Sequence, residues 1–216
     1  LGKCTPEMER VLDRLEAEAK TAVVLCDGYG PIAVLAVADT VRDQSREAVA
    51  SLKALGVTSV MLTGDNVKTA QAIAKQVGIT EVRGELLPED KLAIINELLV
   101  RGPVGMVGDG VNDAPALAKS SIGFAMGAAG TDTAIETADV ALMQDDLRKL
   151  PEFIELSRKT SAILWQNIVF AIGVKVVFFA LTFTGQTSLW LAVFADMGAS
   201  LIVGFNGLRL LRAEVA

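Results

Sequence analysis

Histidine is absent from this 216-residue chain, and cysteine occurs only twice, at Cys4 and Cys26. Because histidine and closely spaced cysteines are the usual zinc ligands, a zinc finger or a histidine-based metal site within these residues is excluded. The two cysteines lie far apart in the sequence, so we expect reduced, unpaired thiols in a cytosolic portion. No signal peptide opens the sequence, and its start at Leu1 indicates a fragment or a missing upstream part.

Basic residues are fewer than acidic ones, with 20 Lys and Arg against 26 Asp and Glu and a net charge of -6. This acidic balance argues against a nucleic-acid partner. Hydrophobic residues make up 51% of the chain, and the excess is concentrated in the last quarter. The sequence therefore predicts a polar part followed by an apolar part of a different kind.

Strand-like and helix-like stretches alternate between residues 39 and 146, with short turns between them. This alternation predicts a doubly wound parallel sheet with right-handed crossovers. Residues 1–38 contain a charged helix and two strand-like runs that predict a hairpin. Residues 147–161 predict a charged amphipathic helix.

Residues 107–115 read Val-Gly-Asp-Gly-Val-Asn-Asp-Ala-Pro and directly follow an apolar run that predicts a strand. A strand that ends in Gly-Asp-Gly places a carboxylate at its carboxyl end, where α/β sheets bind ligands. Carboxylate and amide oxygens suit Mg²⁺ and its bound phosphate, and glycines let the backbone approach a bound group. The candidates for such binding are Asp109, Asp113, Asn112, Gly108 and Gly110. The alternative is a tight acidic turn after a strand.

Two shorter motifs precede this stretch, Thr63-Gly64-Asp65 after a predicted strand and Pro88-Glu89-Asp90-Lys91 at the start of a predicted helix. Taken alone, the first equally fits a turn that caps the following helix. Lys91 taken alone fits a solvated lysine. Their order along the chain, together with residues 107–115, favours a shared function.

Two long apolar runs follow, at about residues 163–184 and 188–208. Each is long enough to cross a hydrocarbon core of ~30 Å as a helix. The tight connection between them, residues 185–187, predicts an antiparallel hairpin, and the alternative is a buried helical hairpin in a large soluble core. Basic residues flank both open ends, which predicts that these ends and the α/β domain lie in the cytoplasm. They are Arg148, Lys149, Arg158, Lys159, Arg209 and Arg212.

Lys175 and Asp196 are the only charged residues between Ser161 and Leu208. They lie 11 residues before and 10 residues after Gln186, so an antiparallel pair places both ~15 Å from the turn. Charges near the bilayer midplane are unfavourable and usually functional. We expect Asp196 to bind a transported cation and Lys175 to act as its counter-charge; the alternative is a pair that only fixes helix packing.

The three motifs, in this order, resemble the phosphorylation domain of a P-type cation-transporting ATPase, a member of the haloacid-dehalogenase-like superfamily. The segments around Lys175 and Asp196 resemble the last two membrane helices of the zinc/cadmium/lead-exporting branch. The resemblance implies an α/β fold with a haloacid-dehalogenase-like, Rossmann-like parallel sheet, followed by a two-helix transmembrane hairpin. It divides the chain into a remnant of the nucleotide-binding domain (1–38), the phosphorylation domain (39–146), a stalk helix (147–161), and the hairpin with a short cytoplasmic tail (162–216).

The resemblance also implies ATP as substrate, Mg²⁺ as cofactor, and Zn²⁺, Cd²⁺ or Pb²⁺ as the transported ion. It implies that Asp109 binds Mg²⁺, and that Asn112 and Asp113 order the phosphate and metal shell. Lys91 would contact the phosphoryl oxygens of the aspartyl phosphate. Thr63 and the backbone of Gly64 would hold the phosphoryl group, and Asp65 would support their loop.

Several motifs of the family are missing from the sequence: Asp-Lys-Thr-Gly-Thr, His-Pro, Cys-Pro-Cys and Thr-Gly-Glu. We therefore expect the C-terminal portion of a multi-pass plasma-membrane pump, inactive alone and dependent on the bilayer and on the missing N-terminal part. One alternative is a membrane-tethered haloacid-dehalogenase-like phosphatase, for which Asp39-Thr40-Val41 is a poor substitute for Asp-x-Asp. The other is a non-catalytic relic or a regulatory fragment that docks on a full pump.

Overall fold

The computed structural model describes residues 6–17, 20–27, 30–38, 41–110, 112–127, 136–185 and 188–212. Its contacts divide the chain into two units, Leu1–Lys149 and Leu150–Ala216. The predicted finer division into four segments stays a prediction, and residues 39 and 40 at its first boundary lie outside the described residues.

The first unit begins with helix α1 (Pro6–Ala17) and an antiparallel hairpin of β1 (Lys20–Cys26) and β2 (Pro31–Ala38). The predicted turn is closed by the Asp27 carboxylate, which accepts from the backbone N–H of Gly30 at 2.8 Å, although residues 28 and 29 lie outside the described residues. Cys26 is an exposed free thiol, as expected, and Cys4 is not among the described residues.

Helices and strands then alternate, as the sequence pattern predicts. They are α2 (Asp43–Ala54), β3 (Val60–Leu62), α3 (Val67–Val77), β4 (Glu81–Arg83), α4 (Pro88–Arg101), β5 (Gly105–Gly108), α5 (Ala114–Lys119), β6 (Ile122–Met126) and β7 (Val140–Leu142). β3 pairs with β4, and β5, β6 and β7 pair in that order, all in parallel. The predicted α/β class with parallel strands is confirmed, although the described hydrogen bonds form two groups of strands rather than one continuous sheet.

The strand-like stretch from Val57 to Leu62 predicts a strand over all six residues, but β3 starts three residues later, at Val60. Gly56 ends α2 in the left-handed conformation, with a φ of 77°, and its N–H donates to the carbonyl of Lys53. The N–H of Val57 donates to the carbonyl of Leu52 at 2.9 Å. These two bonds form a Schellman motif, so the first apolar residue of the run caps the helix instead of entering the strand.

The core beside the predicted site is small and apolar. Its buried members are Ile95, Met106, Ala116 and Leu117, with Leu62, Leu99 and Val104 packed against them. Helices α4 and α5 and strands β3 and β5 all contribute to this cluster. The core therefore ties together the elements that carry the three sequence motifs.

The second unit contains the apolar part of α6 (Lys149–Phe183), then α7 (Leu189–Leu208) and a 3-10 helix (Arg209–Arg212). The predicted charged helix and the first predicted span are one continuous helix, because no proline or glycine interrupts residues 152–172. Lys149–Phe183 and Trp190–Leu211 are long and apolar enough to cross a membrane. Helices are therefore present at both predicted spans; residues 186 and 187 of their predicted connection lie outside the described residues.

Candidate functional site

The structure joins the second and third motifs through an ion pair. The Nζ atom of Lys91 lies 2.6 Å from Oδ1 of Asp113, and both side chains are only 14% exposed. Lys91 stands in the first turn of α4, and Asp113 stands directly before α5. A charge-assisted hydrogen bond in this partly buried position fixes both groups, and it places an ammonium beside a carboxylate at the end of β5.

Gly108, the last residue of β5, makes room for that carboxylate. A Cβ atom at Gly108 would lie 2.8 Å from Oδ2 and 3.0 Å from Cβ of Asp113. Any side chain there would push Asp113 away from Lys91. Gly110 has a φ of 76°, a left-handed conformation that glycine adopts readily, so it lets the chain turn back toward Asp113.

The first motif is a loop held by its own side chains. The hydroxyl of Thr63 donates to the Asp65 carboxylate at 3.0 Å and accepts from the backbone N–H of Asp65 at 3.1 Å. The backbone N–H of Thr63 donates to the carbonyl of Arg83 at 3.0 Å, which extends the β3–β4 pairing by one residue. The loop is therefore closed before any ligand arrives.

All three motifs start close to one apolar cluster. Leu62, directly before Thr63, packs against the cluster that contains Met106, two residues before Gly108. The same cluster contains Ile95, four residues after Lys91 on α4, so the two residues lie on one face of that helix. The core thus gathers the three motifs at one region of the first unit.

Asp109 and Asn112 are exposed beside the ion pair, and Val111 lies outside the described residues. Within the described part of the chain, no group of three or more His, Cys, Asp or Glu side chains is close enough to hold a metal ion. Asp109 and Asp113 nevertheless supply hard carboxylate oxygens of the kind that Mg²⁺ prefers, and they follow a strand end that admits a bound group. These residues fit a Mg²⁺ site whose remaining ligands come from phosphate, water or other parts of a protein.

Two further residues support the site, although the sequence contains little or no sign of their roles. Gly84 follows β4, and a Cβ atom there would lie 2.9 Å from the carbonyl oxygen of Asp65, so the first motif needs a glycine opposite it. Asp90 accepts from the backbone N–H of Leu87 at 2.9 Å and so caps α4 one residue before Lys91. The position of Asp90, two residues after Pro88, could have indicated the cap. No local sequence pattern indicated that Gly84 lies against Asp65.

An ion pair also stands directly before α6. The Asp146 carboxylate accepts from the guanidinium and the backbone N–H of Arg148, and these hydrogen bonds lower the pKa of Asp146. The same side-chain hydrogen bond raises the pKa of Arg148, which also reaches Glu47 of α2 at 3.4 Å. Arg148 thus joins the segment directly before α6 to α2 within the first unit.

In the second unit, half-buried side chains form one stripe on each apolar helix. On α6 beyond Ser161 they are Ile163, Asn167, Ala171, Val174, Phe178 and Leu181, and on α7 they are Ala195, Gly198, Ala199, Val203, Asn206 and Gly207. Spacings of three and four residues place such positions on one helix face. Asn206 donates from Nδ2 to Oδ1 of Asn167 at 2.8 Å, so the two stripes meet at these two residues.

This contact allows the relative position of the two charged residues to be counted. The short connection predicts that the two helices run antiparallel, and in that arrangement Asn167 opposite Asn206 predicts Val174 level with Ala199 and Phe178 level with Ala195. Lys175 is then expected two residues, or ~3 Å along the axis, from the level of Asp196. The equal depth of the two charges stays a prediction.

The same count predicts Lys175 and Asp196 on one flank of the helix pair rather than between the helices. Each follows a stripe residue, Val174 and Ala195, and is turned ~100° past it. Because antiparallel helices turn in opposite senses when viewed from one end, this rotation brings both charges to the same side. Both side chains are exposed, and within the described residues no ion pair joins them.

The class of protein follows from a family comparison. A family model for haloacid dehalogenase-like hydrolases matches residues 4–120, more than half of the chain. The chain belongs to the haloacid dehalogenase-like hydrolase family.

Individual relatives are more specific. A probable cadmium-transporting ATPase of Listeria monocytogenes is 51% identical over 212 residues, which are 97% of this chain and 30% of the relative. A zinc/cadmium/lead-transporting P-type ATPase of Escherichia coli K12 is 48% identical over 94% of this chain and 27% of its own length. The chain thus spans about three tenths of the curated relatives it matches.

A solved structure agrees with these relatives. The crystal structure of a zinc-transporting PIB-type ATPase in the E2.Pi state matches 97% of this chain and 35% of that chain, with a TM-score of 0.85 and 45% identity. The resemblance to P-type cation-transporting ATPases that the motifs indicated is confirmed.

Proposed function

We propose that this chain is the C-terminal portion of an ATP-driven exporter of Zn²⁺, Cd²⁺ or Pb²⁺. It supplies the phosphate- and Mg²⁺-handling half of the phosphorylation site and part of the membrane ion site. The observation that carries the proposal is the partly buried Lys91–Asp113 pair, which joins two motifs at the end of β5. The similarity to cadmium- and zinc-transporting ATPases supports the choice of ion.

In this proposal, transfer of a phosphoryl group to an aspartate elsewhere in the pump depends on positioning and on neutralising charge. Lys91 is held by Asp113 and offers its remaining N–H donors to the phosphoryl oxygens. The hydroxyl of Thr63 turns from Asp65 toward the same group, and the backbone N–H of Gly64 adds a further donor. Before the phosphoryl group binds, the hydrogen bonds between Asp65 and Thr63 hold the loop of the first motif.

A bound Mg²⁺ would neutralise part of the charge on the phosphoryl oxygens. Asp109 and Asp113 would hold it, with Asn112 ordering the ligands around it. Asp113 then has two roles, because its Oδ1 atom bonds Lys91 while Oδ2 lies over Gly108. The carboxylate would thereby serve both the ammonium and the metal.

The membrane part of the proposal assigns Asp196 to the transported ion and Lys175 to the counter-charge that balances Asp196 when no ion is bound. Their common flank faces outward, so other membrane helices of the pump supply the remaining ligands. The basic residues before α6 and after α7 support a cytoplasmic location of both ends and of the phosphorylation domain in a multi-pass plasma-membrane protein. Residues 1–38 would complete the nucleotide-binding domain, and residues 147–161 would form the stalk.

The test uses the full reading frame that contains this sequence, expressed in a host and assayed in membrane vesicles. We expect ATP hydrolysis that Zn²⁺ or Cd²⁺ stimulates, together with an acid-stable phosphoprotein formed from γ-labelled ATP. Asp109→Asn and Lys91→Ala should each lower the rate by about 10²-fold or more, since each removes charge from the transfer site. Lys119→Ala, a change of an exposed lysine at the end of α5, is the matched control and should be neutral.

Two results would overturn the proposal. One is metal-independent hydrolysis of a small phosphoester by the chain, which would favour a tethered phosphatase. The other is unchanged metal-stimulated turnover in Lys91→Ala, because the pair that carries the proposal would then have no part in phosphoryl transfer.

A further inference from the structure

Asn206 is the polar centre of the contact between the two apolar helices. Its Nδ2 atom donates to Oδ1 of Asn167 at 2.8 Å and to Oε1 of Gln166 at 3.4 Å. Its Oδ1 atom accepts from the guanidinium of Arg209 at 3.0 Å. The amide thus links α6 to α7 and to the basic end of the hairpin.

The orientation of this amide follows from its partners. A guanidinium has only donors, so the Asn206 atom that faces Arg209 must be the carbonyl oxygen. The NH₂ group therefore faces α6, where Asn167 and Gln166 must present oxygens. Arg209 thus determines which group of Asn206 crosses to the other helix, and an amide flip would put two donors against each other.

We propose that Asn206 is a positioning residue, which fixes the register and rotation of α7 against α6 and so keeps Asp196 level with Lys175 on one flank. The role of the two charges as an ion site rests on the proposed function. The stripes of half-buried residues are almost wholly apolar, and apolar surfaces in lipid slide without a strong preference for one register. A hydrogen bond with one donor and one acceptor selects a single register.

A small slip would separate the charges. A screw-like slip of one residue moves Asp196 by ~1.5 Å along the axis and turns it, together with the stripe of α7, by ~100° about the axis. Asp196 would then leave the flank that it shares with Lys175. Ten residues, close to three helical turns, separate Asp196 from Asn206, so the contact acts on the charge through the rigid helix and not by touching it.

Two isosteric variants separate this role from a general effect of polarity or charge. Asn167→Asp keeps an oxygen acceptor opposite Asn206, whereas Asn206→Asp replaces the donor that faces Asn167 by an acceptor. Both changes introduce one carboxylate at the same level of the hairpin, so their effects on membrane insertion should match. Asn206→Leu removes the amide altogether.

The first measurement does not depend on transport. The 216-residue chain, with its cysteines changed to serine, carries spin labels at Val176→Cys and Leu201→Cys and is reconstituted in phosphatidylcholine liposomes. We expect one narrow distance distribution for the parent and for Asn167→Asp, and a broad or shifted one for Asn206→Asp and Asn206→Leu. Equal distributions in all four proteins would overturn the proposal.

The second measurement uses the full reading frame in vesicles. Asn206→Asp and Asn206→Leu should raise the Zn²⁺ concentration for half-maximal ATPase stimulation by about three- to tenfold, the range of single interhelical hydrogen bonds in bilayers. The KM for ATP and the maximal rate should stay unchanged, and Asn167→Asp should resemble the parent. A fall in maximal rate alone would contradict a positioning role. If no Zn²⁺ or Cd²⁺ stimulates turnover, the proposed function fails, while the spin-label result still decides the register.

Discussion

Gly108 and Gly105 stand in the same short strand, but only Gly108 faces a carboxylate. A Cβ atom at Gly108 would meet Oδ2 of Asp113 at 2.8 Å, whereas at Gly105 the nearest atom would be a ring carbon of Phe124 at 3.5 Å. Neither glycine has a φ in the left-handed region, so the two differ in space and not in backbone strain.

We expect Gly108→Ala to destabilise the surroundings of β5 by about 1–3 kcal/mol, the usual effect of overpacking, and to displace Asp113 from Lys91. Gly105→Ala should change stability by less than about 1 kcal/mol, since its new methyl group meets ordinary van der Waals contacts. Hydrogen exchange of the backbone amides in β5 and α4 measures the loss of stability in both variants. Equal protection in the two variants would show that Asp113 moves aside freely.

The Lys91–Asp113 pair makes a second prediction at this scale. Removing the ammonium with Lys91→Met leaves a carboxylate that is 14% exposed without its cation, at a cost of about 1–3 kcal/mol. Changing both residues, in Lys91→Met with Asp113→Leu, should recover part of that loss because no charge is then left unpaired. Thermal unfolding in detergent of the parent, the two single variants and the double variant gives the coupling energy between Lys91 and Asp113. Additive losses would mean that the pair is not formed.

At the scale of elements, local patterns predicted most helices and strands. Pro88 marked the start of α4 correctly. The start of β3 was placed too early, because a Schellman motif uses the N–H of Val57 and the hydropathy pattern contains no signal for that bond. The continuity of α6 through its charged and apolar parts was likewise hidden by the change in composition.

The ion pair before α6 predicts a response to acid. Arg148 lowers the pKa of Asp146 in the folded protein below the ordinary value of 3.8. The stabilisation is therefore complete above about pH 4 and is lost as the pH falls through the lower folded pKa. Arg148 stays charged throughout, because the same hydrogen bond raises its pKa.

Asp146→Asn should consequently lower the melting temperature at pH 6 and have a much smaller effect once the pH is well below 3.8. Glu47→Gln is the matched control: Glu47 is 61% exposed and lies 3.4 Å from Arg148, so its removal should have little effect at either pH. Circular dichroism in detergent between pH 6 and pH 2.5 measures the melting temperatures of both variants. A difference for Asp146→Asn that persists unchanged at the lowest pH would contradict the assigned pKa direction.

At the scale of the whole molecule, the motifs indicated the phosphate-handling site because their residue types have a chemical reason to occur together. The sequence did not indicate how they meet. The Lys91–Asp113 bond joins two residues that are 22 positions apart, and Gly84, directly after β4, lies against Asp65. Such contacts arise from tertiary packing, which no local pattern encodes. In the membrane part, counting from the connection predicts the level of Lys175 and Asp196, and the prediction of a common flank needs the half-buried stripes as well.

The last prediction concerns what this chain does alone. Its sequence contains no Asp-Lys-Thr-Gly-Thr, so under the proposed function it lacks the carboxylate that would accept a phosphoryl group. We expect no acid-stable phosphoprotein when the purified 216-residue chain meets γ-labelled ATP and Mg²⁺, and no ATP-dependent metal uptake by its vesicles. The full reading frame, treated in parallel, should form the phosphoprotein and lose it in Lys91→Ala. Uptake of Zn²⁺ by vesicles that contain only these residues would mean that a carboxylate within them, and not one elsewhere in a pump, is the phosphate acceptor.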